Sequence, residues 1–195
     1  MEKTIIFATN NRHKLEEVAA FLKGEWQLIT PCECGVTEDI PEEQPTVEGN
    51  ALQKARYLYE RTGKNCFADD TALEVDALGG EPGVRSARYA EDSSEGSGSE
   101  ANMAKLMAKM EGKEQRTARF RTVIALILGG TEYLFEGVVE GEITEVREGG
   151  DGFGYDPIFR PIGYETTFAQ MSMEDKNLIS HRGRAVAKLV EFLVN

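Results

Sequence analysis

Apolar positions along the chain fall into two rhythms, one of unbroken short runs and one of helical spacing. Thr4 to Ala8 is a short apolar run and reads as a buried strand; Lys14 to Lys23 reads as a helix with Leu15, Val18, Ala19 and Leu22 on one face. Trp26 to Thr30 predicts a second strand, followed by a polar, proline-containing loop from Pro31 to Pro45. Ala51 to Arg61 returns to helical spacing, with Ala51, Leu52, Ala55, Leu58 and Tyr59 as its apolar stripe. Asn65 to Ala68 is then a third strand. Strand and helix alternate, which predicts a parallel or mixed sheet covered by helices.

The second half is richer in strands. Glu91 to Glu100 is rich in Ser, Gly and acid and reads as a surface loop, and Ala101 to Met110 as a helix whose methionines fill the core. Arg116 to Leu128 and Thr131 to Val146 form two long β-rich arms around Gly129-Gly130, a hairpin signal. Ser172-Met173-Glu174-Asp175 resembles a capping box, and a last helix from Arg182 to Leu193 buries Ala185, Leu189, Val190 and Leu193. No internal repeat is visible. The fold class is α/β: an elongated mixed β-sheet flanked by helices, with two lobes around a central cleft, in one domain over residues 1–195.

Length agrees with that reading, since 195 residues can bury roughly 70% of their unfolded surface in one domain. No run approaches the ~18 apolar residues of a membrane helix. Met1-Glu2-Lys3-Thr4 leads straight into the first strand without the anatomy of a signal peptide, so a cytoplasmic protein is expected. The net charge of −12 argues against binding a nucleic acid polymer or an acidic membrane, which needs cationic surface. A small anionic ligand stays open if positive charge is local. Cys32, Cys34 and Cys66 lack the second pair or nearby His of a zinc site and read as reduced, incidental thiols.

The densest chemistry lies in Phe67-Ala68-Asp69-Asp70-Thr71-Ala72-Leu73-Glu74-Val75-Asp76. An apolar run meets two adjacent carboxylates and a hydroxyl, and Gly79-Gly80-Glu81-Pro82-Gly83 then predicts a turn. Buried carboxylates are costly unless paired, and they make sense beside a cation or a water to be deprotonated. Successive strand residues face opposite sides, so Asp69 and Asp70 should differ in role, one facing the site and the other bracing the turn. A plain polar turn at a strand end explains this segment equally well.

Two cationic clusters sit at expected helix starts. Thr9-Asn10-Asn11-Arg12-His13-Lys14 leaves the first strand, where backbone N–H groups and the helix N-terminus favour an anion and Lys14 adds a point charge for a phosphate. The spacing of a Walker loop is absent, and ordinary capping by Asn11 is the simpler reading of the segment alone. Ser180-His181-Arg182-Gly183-Arg184 places cations at the end of a helix where they are unfavourable without an anion or acidic neighbour. In Gly149-Gly150-Asp151-Gly152-Phe153-Gly154-Tyr155-Asp156-Pro157, Phe153 either stacks on a planar base or packs with Tyr155 into the core.

Together these segments resemble the inosine triphosphate pyrophosphatase family, the XTP/dITP diphosphatases. The resemblance is carried by Thr9 to Lys14, Glu48-Gly49-Asn50-Ala51, Phe67 to Asp76, Gly79 to Gly83, Ser86-Ala87-Arg88-Tyr89, Gly152 to Phe159, and Lys176 through Ser180 to Gly183, in family order over nearly the whole chain. It implies Mg²⁺-assisted hydrolysis of a purine nucleoside triphosphate to the monophosphate and pyrophosphate, with inosine, deoxyinosine and xanthosine triphosphates preferred. Asp70 is then the catalytic carboxylate and a metal ligand. Thr71 and the loop of Thr9, Asn10, Asn11, Arg12, His13 and Lys14 hold phosphates, with no catalytic role for His13. Phe153, Gly154, Tyr155 and Asp156 enclose the base, and Lys176, His181 and Arg182 complete the substrate site.

The family's second metal carboxylate lies in a Glu-Glu-Thr-Gly-like run. Here the run reads Pro41-Glu42-Glu43-Gln44-Pro45, and counting back from Asn50 favours Glu42 over Glu43. A homodimer is also implied, with Val123 to Leu128 and Tyr133 to Val139 as candidate interface strands. The competing classes are a non-catalytic nucleotide sensor, a general nucleotide phosphohydrolase, and a haloacid-dehalogenase-like phosphatase. The last needs Asp-x-Asp, and adjacent Asp69-Asp70 has the wrong alternation.

Overall fold

The computed structural model describes residues 3–93, 96–150 and 153–195. Strand β1 (Lys3–Phe7) runs parallel to β2 (Trp26–Ile29) on one side and to β3 (Cys66–Val75) on the other, with Ile5 opposite Leu28 and Ile6 opposite Cys66. Parallel neighbours need crossovers, and helices α1 (Arg12–Leu22) and α2 (Val47–Thr62) supply them. The short β4 (Pro82–Gly83) pairs antiparallel with β3. After α3 (Ser99–Met110), β5 (Thr117–Leu128) and β6 (Thr131–Ile143) form the hairpin expected at Gly129-Gly130. Both glycines have positive φ, +57° and +83°, the backbone such a two-residue turn favours. Strand β7 (Phe159–Pro161) closes the order β2-β1-β3-β5-β6-β7, antiparallel to β6, and helices α4 (Met173–Ile179) and α5 (His181–Val194) follow. The sheet is mixed, as the alternation of elements requires.

The chain divides into two compact units. The first holds Met1–Asp70, Thr122–Gly137 and Arg182–Asn195, and the second Thr71–Arg121 and Val138–His181. Each has its own core. In the first, Ile5, Phe7, Phe67, Ile124, Leu126 and Leu189 pack together, with the Phe7 and Phe67 rings stacked 4.5 Å apart. In the second, Leu73, Leu106, Met110, Phe120, Phe159 and Phe168 do so. Full burial of such side chains contributes about 1.5–3 kcal/mol each.

Several expectations are corrected. Strand β3 does not end at Asp69-Asp70; it continues to Val75, because both carboxylates meet cations and need no turn to solvent. Helix α2 starts at Val47, a turn before Ala51, since Thr46 caps it by accepting the Gly49 N–H at 3.0 Å. A Cβ on Gly49 would lie 2.8 Å from the Gln44 side chain, so this capped start needs glycine. On α1, Ala19 is exposed and Glu17 is buried in its stead. On α5, Val186 is fully buried and Val190 only half-buried. Residues Val123 to Ile127 are core, at most 3% exposed, and so are not available as an interface strand.

Other expectations match. Met103 and Met110 are buried in the second core, and Ser172 caps α4 by accepting the Asp175 N–H. All three cysteines are free, and burial pushes the Cys66 thiol up to about 12. Among the described residues no helix is long and apolar enough to cross a membrane. Met1, Glu2, Ser94, Glu95, Asp151 and Gly152, to which readings of the N-terminus and two loops attach, lie outside the described residues.

Candidate active site

Alternation along β3 sends Asp69 and Asp70 to opposite sides, and their surroundings differ accordingly. Asp69 is 1% exposed; its Oδ1 accepts from Lys14 Nζ at 3.0 Å and its Oδ2 from Arg182 Nε at 3.3 Å. Arg182 Nη1 donates in turn to Glu17. Lys14, Asp69, Arg182 and Glu17 thus form a buried row of alternating sign that sums to zero charge. Burial would raise the Asp69 pKa, but Lys14, Arg182 and Lys54 outweigh it and hold the carboxyl well below its usual range. Asp69 braces an ion-pair network, not a turn. The same network supplies the acidic neighbours that a cation at the start of α5 requires.

Asp70 lies in a less balanced setting. Its Oδ1 is 3.9 Å from Lys54 Nζ, and its buried Oδ2 has no hydrogen-bond partner among the described residues. Burial pushes its pKa up to about 6, helped by the nearby charges of Glu42 and Asp69 and opposed by Lys54 and Lys14. Lys54, buried in α2, donates to Glu42 Oε1 and, at 2.6 Å, to the Asp69 carbonyl. Burial alone would lower its pKa; Asp69, Glu42 and Asp70 reverse that and raise it. Glu43 turns elsewhere, its N–H donating to Gln53 Oε1 at 2.9 Å and its Oε2 accepting from Gln53 Nε2. Buried Asn50 anchors the loop by accepting the Gln44 N–H at 2.8 Å, which gives the Glu48-to-Ala51 motif its local purpose.

Among the described residues no three His, Cys, Asp or Glu side chains are grouped to hold a metal. A hard divalent ion such as Mg²⁺ does not need three, because it is commonly held by one or two carboxylates with waters and substrate phosphates. Asp70, with one buried oxygen unpartnered, and Glu42 close to the same ammonium fit that donor set.

The loop before α1 is ordered by its own side chains. Thr9 Oγ1 accepts the Asn11 N–H at 3.1 Å, and Asn11 Oδ1 accepts from the N–H groups of His13 and Lys14. Capping by Asn11 is therefore present. Asn10, Arg12 and His13 are exposed, and Arg12 pairs with Glu16 one turn along. Lys14, at the end of this segment, reaches Asp69.

In the second unit Thr71 is half-buried on β3. Asp156 is buried; its Oδ2 accepts the Phe153 N–H at 3.1 Å and the Lys176 ammonium at 2.8 Å. Gly154 between them has φ +61°, a left-handed bend that lets the loop close on Asp156. Phe153 is only half-buried, while Tyr155 belongs to the core and donates its hydroxyl to the Ser86 carbonyl at 2.6 Å. Packing into the core therefore holds for Tyr155 and not for Phe153. His181 is 4% exposed and stacks on Phe120 at 4.6 Å and 14°.

A search of known families finds that the Ham1 family model matches residues 5–192. The chain belongs to the Ham1 family. Two relatives are each called dITP/XTP pyrophosphatase: one from Porphyromonas gingivalis is 50% identical over 100% of this chain and 98% of its own length, and one from Flavobacterium johnsoniae is 47% identical over 97% of both. The Staphylococcus aureus Ham1 protein superposes with a TM-score of 0.88 at 37% identity, covering 98% of each chain. The family expected from the motifs is the family found.

Within this Ham1-family chain, the first unit brings together Lys14, Glu42, Asp70 and Arg182 from segments far apart in sequence, and the second brings together Phe153, Asp156 and Lys176. Reading the sequence missed Lys54 and Glu17. Lys54 had a signal: it falls on the same helix face as Ala51, Ala55 and Leu58, where a cation needs a buried partner. Glu17 had a weaker one, sitting three residues after Lys14 and beside buried Val18.

Proposed function

We propose that the protein hydrolyses inosine, deoxyinosine and xanthosine triphosphates to the nucleoside monophosphate and pyrophosphate, clearing them from the nucleotide pool, and that residues 1–195 act as one domain in doing so. The reading rests on near-full-length identity to dITP/XTP pyrophosphatases. The site observation that supports it is the unpartnered, buried oxygen of Asp70 beside Glu42 and Lys54.

Asp70 and Glu42 would hold Mg²⁺, which when bound neutralises phosphate oxygens. Water attacks the α-phosphorus; the new oxygen–phosphorus bond forms as the bond to the bridging oxygen breaks and pyrophosphate leaves. Asp70 orients that water and takes its proton, work worth about 10²–10⁴ in rate. Lys14, Thr71 and the backbone of Thr9 to Lys14 meet the phosphates and stabilise charge on the leaving group. Lys54 keeps Glu42 and Asp70 together. Phe153 stacks on the base, and donors from Lys176, His181 and Arg182 read the keto oxygen that separates hypoxanthine and xanthine from adenine. Tyr155 contributes backbone to this loop, since its side chain is core.

Such an enzyme acts in the cytoplasm, where polymerases draw on the pool. A homodimer is part of the proposal. The interface surface is reduced to Tyr133 to Phe135 with Phe192, where Leu134 is 49% exposed and the Tyr133 and Phe192 rings touch. Sedimentation at micromolar concentration giving a species near 21.6 kDa would remove that part alone.

Product analysis with inosine triphosphate and Mg²⁺ tests the whole. Pyrophosphate with inosine monophosphate is expected; inorganic phosphate would mean a phosphatase, and no turnover a sensor. Equal kcat/KM for inosine, xanthosine, adenosine and guanosine triphosphates would make it a general nucleotide pyrophosphatase.

A further inference from the structure

The second unit contains a short element that no motif of the sequence singled out. Residues Phe168–Gln170 form a single 3₁₀ turn fixed by a capping box between Thr167 and Gln170, with the Thr167 N–H donating to Gln170 Oε1 at 2.9 Å. Thr167 Oγ1 donates to the Glu148 carbonyl at 2.7 Å. Next to it, Gly149 has φ +92°, and a Cβ there would lie 2.8 to 2.9 Å from Ala169. The turn is therefore pressed onto the start of the loop that carries Phe153, and only glycine permits that approach.

Phe168 is 1% exposed, and its ring touches the supports of two donors at once. Lys176 Nζ lies 5.7 Å from the ring centroid while bonded to Asp156, and the His181 ring lies 6.2 Å away at 33°. Phe120, on which His181 stacks, is 6.2 Å from Phe168, and Phe159 is 5.2 Å. A lysine stem is flexible and does not hold a direction unaided. Asp156 fixes the distance of the ammonium, and the face of Phe168 restricts where it can swing. For His181, Phe120 sets the plane and Phe168 blocks its rotation.

We propose that Phe168 is a positioning residue that sets base specificity, a platform aiming Lys176 and His181 at the keto edge of a 6-oxopurine. This rests on the reading above that those two side chains meet the base. Discrimination by unpaired donors works only if the donors cannot turn away from the wrong base. Held by the platform, they face the amino group of adenine unsatisfied. Released, they re-aim, so affinity for the right base and rejection of the wrong one fall together.

The test is Phe168→Met in the full chain, which keeps apolar bulk but removes the ring face. The KM for inosine triphosphate is expected to rise by about 10- to 100-fold with kcat little changed, and its kcat/KM advantage over adenosine triphosphate to shrink on the same order. A folded variant with a lowered melting temperature but the original KM and preference would show a merely structural role and overturn the proposal. Should Phe168→Met fail to fold, Thr167→Val decides. It removes the tie to Glu148 and the Thr167 half of the capping box, loosening the turn while deleting no ring, so a smaller shift of KM and preference in the same direction supports the platform, and an unchanged preference overturns it. Failure of the functional reading looks different: the unmutated protein would then show no preference for inosine over adenosine triphosphate.

Discussion

The two units hold their candidate site side chains by different forces. In the first, Lys14, Glu17, Asp69 and Arg182 are fixed by opposite charges within hydrogen-bond reach, and buried Lys54 links Glu42 to Asp70. In the second, one ion pair, Lys176 with Asp156, is set among the rings of Phe120, Phe159, Phe168 and His181. Charge balance therefore decides what a substitution does in the first unit, and shape decides it in the second. Even within the first unit the balance is uneven. Asp69 has two direct cationic partners, whereas one oxygen of Asp70 has none among the described residues.

That unevenness is broken most sharply at Asp70. Asp70→Asn removes the proposed base and the proposed metal ligand but little else, so the protein should fold while kcat at saturating Mg²⁺ falls by about 10²–10⁴ or more. Steady-state kinetics alongside a circular dichroism melt would check both halves. Turnover within tenfold of the unmutated protein would move the base to another residue.

Asp69→Asn should do the reverse. It leaves Lys14 and Arg182 short of a counter-charge in a buried place, a loss of roughly 3–5 kcal/mol of stability by analogy with other broken buried pairs. The folded fraction should keep more turnover than Asp70→Asn. Urea unfolding of the two variants side by side would sink the distinction if Asp70→Asn proved the less stable.

The two carboxylates should also carry opposite pH dependence in metal-free protein. Asp70 has a folded pKa of about 6 against a reference of 3.8, so the folded state holds its proton more tightly. The stability linked to it is complete below about pH 4 and lost as pH rises through 6, on the order of 2–3 kcal/mol in all. Asp69 is depressed, so its stabilisation is present above about pH 4 and lost as pH falls through its folded value. Unfolding free energies from pH 4 to 8 should therefore fall less steeply in Asp70→Asn than in the unmutated protein. Identical slopes would mean that Asp70 titrates normally.

In the second unit a shape change should act on binding and leave charge balance alone. Phe153 is half-buried, so Phe153→Ala should cost little stability but remove base stacking worth about 1–3 kcal/mol, read as a higher KM for every purine triphosphate. Because stacking is indifferent to the base, the preference among purines should survive, unlike in Phe168→Met. A changed preference with unchanged KM would reverse the roles of the two rings.

How much of this was legible in the sequence follows from the same contrast. Periodicity located the helices and the strand–helix alternation, because burial of one face is a local pattern. It misplaced the end of β3, because a strand can continue through two carboxylates only if distant cations meet them, and Lys14, Lys54 and Arg182 come from three other segments. Asp70, Lys14 and the Phe153 loop stood out through motifs. Lys54 and Glu17 did not: the buried face of α2 says that Lys54 needs a partner but not which one, and Glu17 looks like an ordinary helix charge until Arg182 is known. Phe168 was hidden more thoroughly: one phenylalanine among nine carries no sign that its face supports a lysine and a histidine.

The finest distinction lies within Glu42-Glu43. Both are acidic, adjacent and on the same loop, yet Glu42 reaches Lys54 while Glu43 is bound to Gln53. Glu42→Gln should weaken the hold on Mg²⁺ and loosen Lys54, raising the Mg²⁺ concentration that gives half-maximal rate. Glu43→Gln is the smallest effect expected. Glutamine can still accept from Gln53, and an exposed substitution of this kind changes stability by no more than about 0.5 kcal/mol. Its Mg²⁺ titration should overlay that of the unmutated protein. A rightward shift for Glu43→Gln with none for Glu42→Gln would hand the second carboxylate to the neighbour, and would mean that the loop rearranges by one residue when the metal binds.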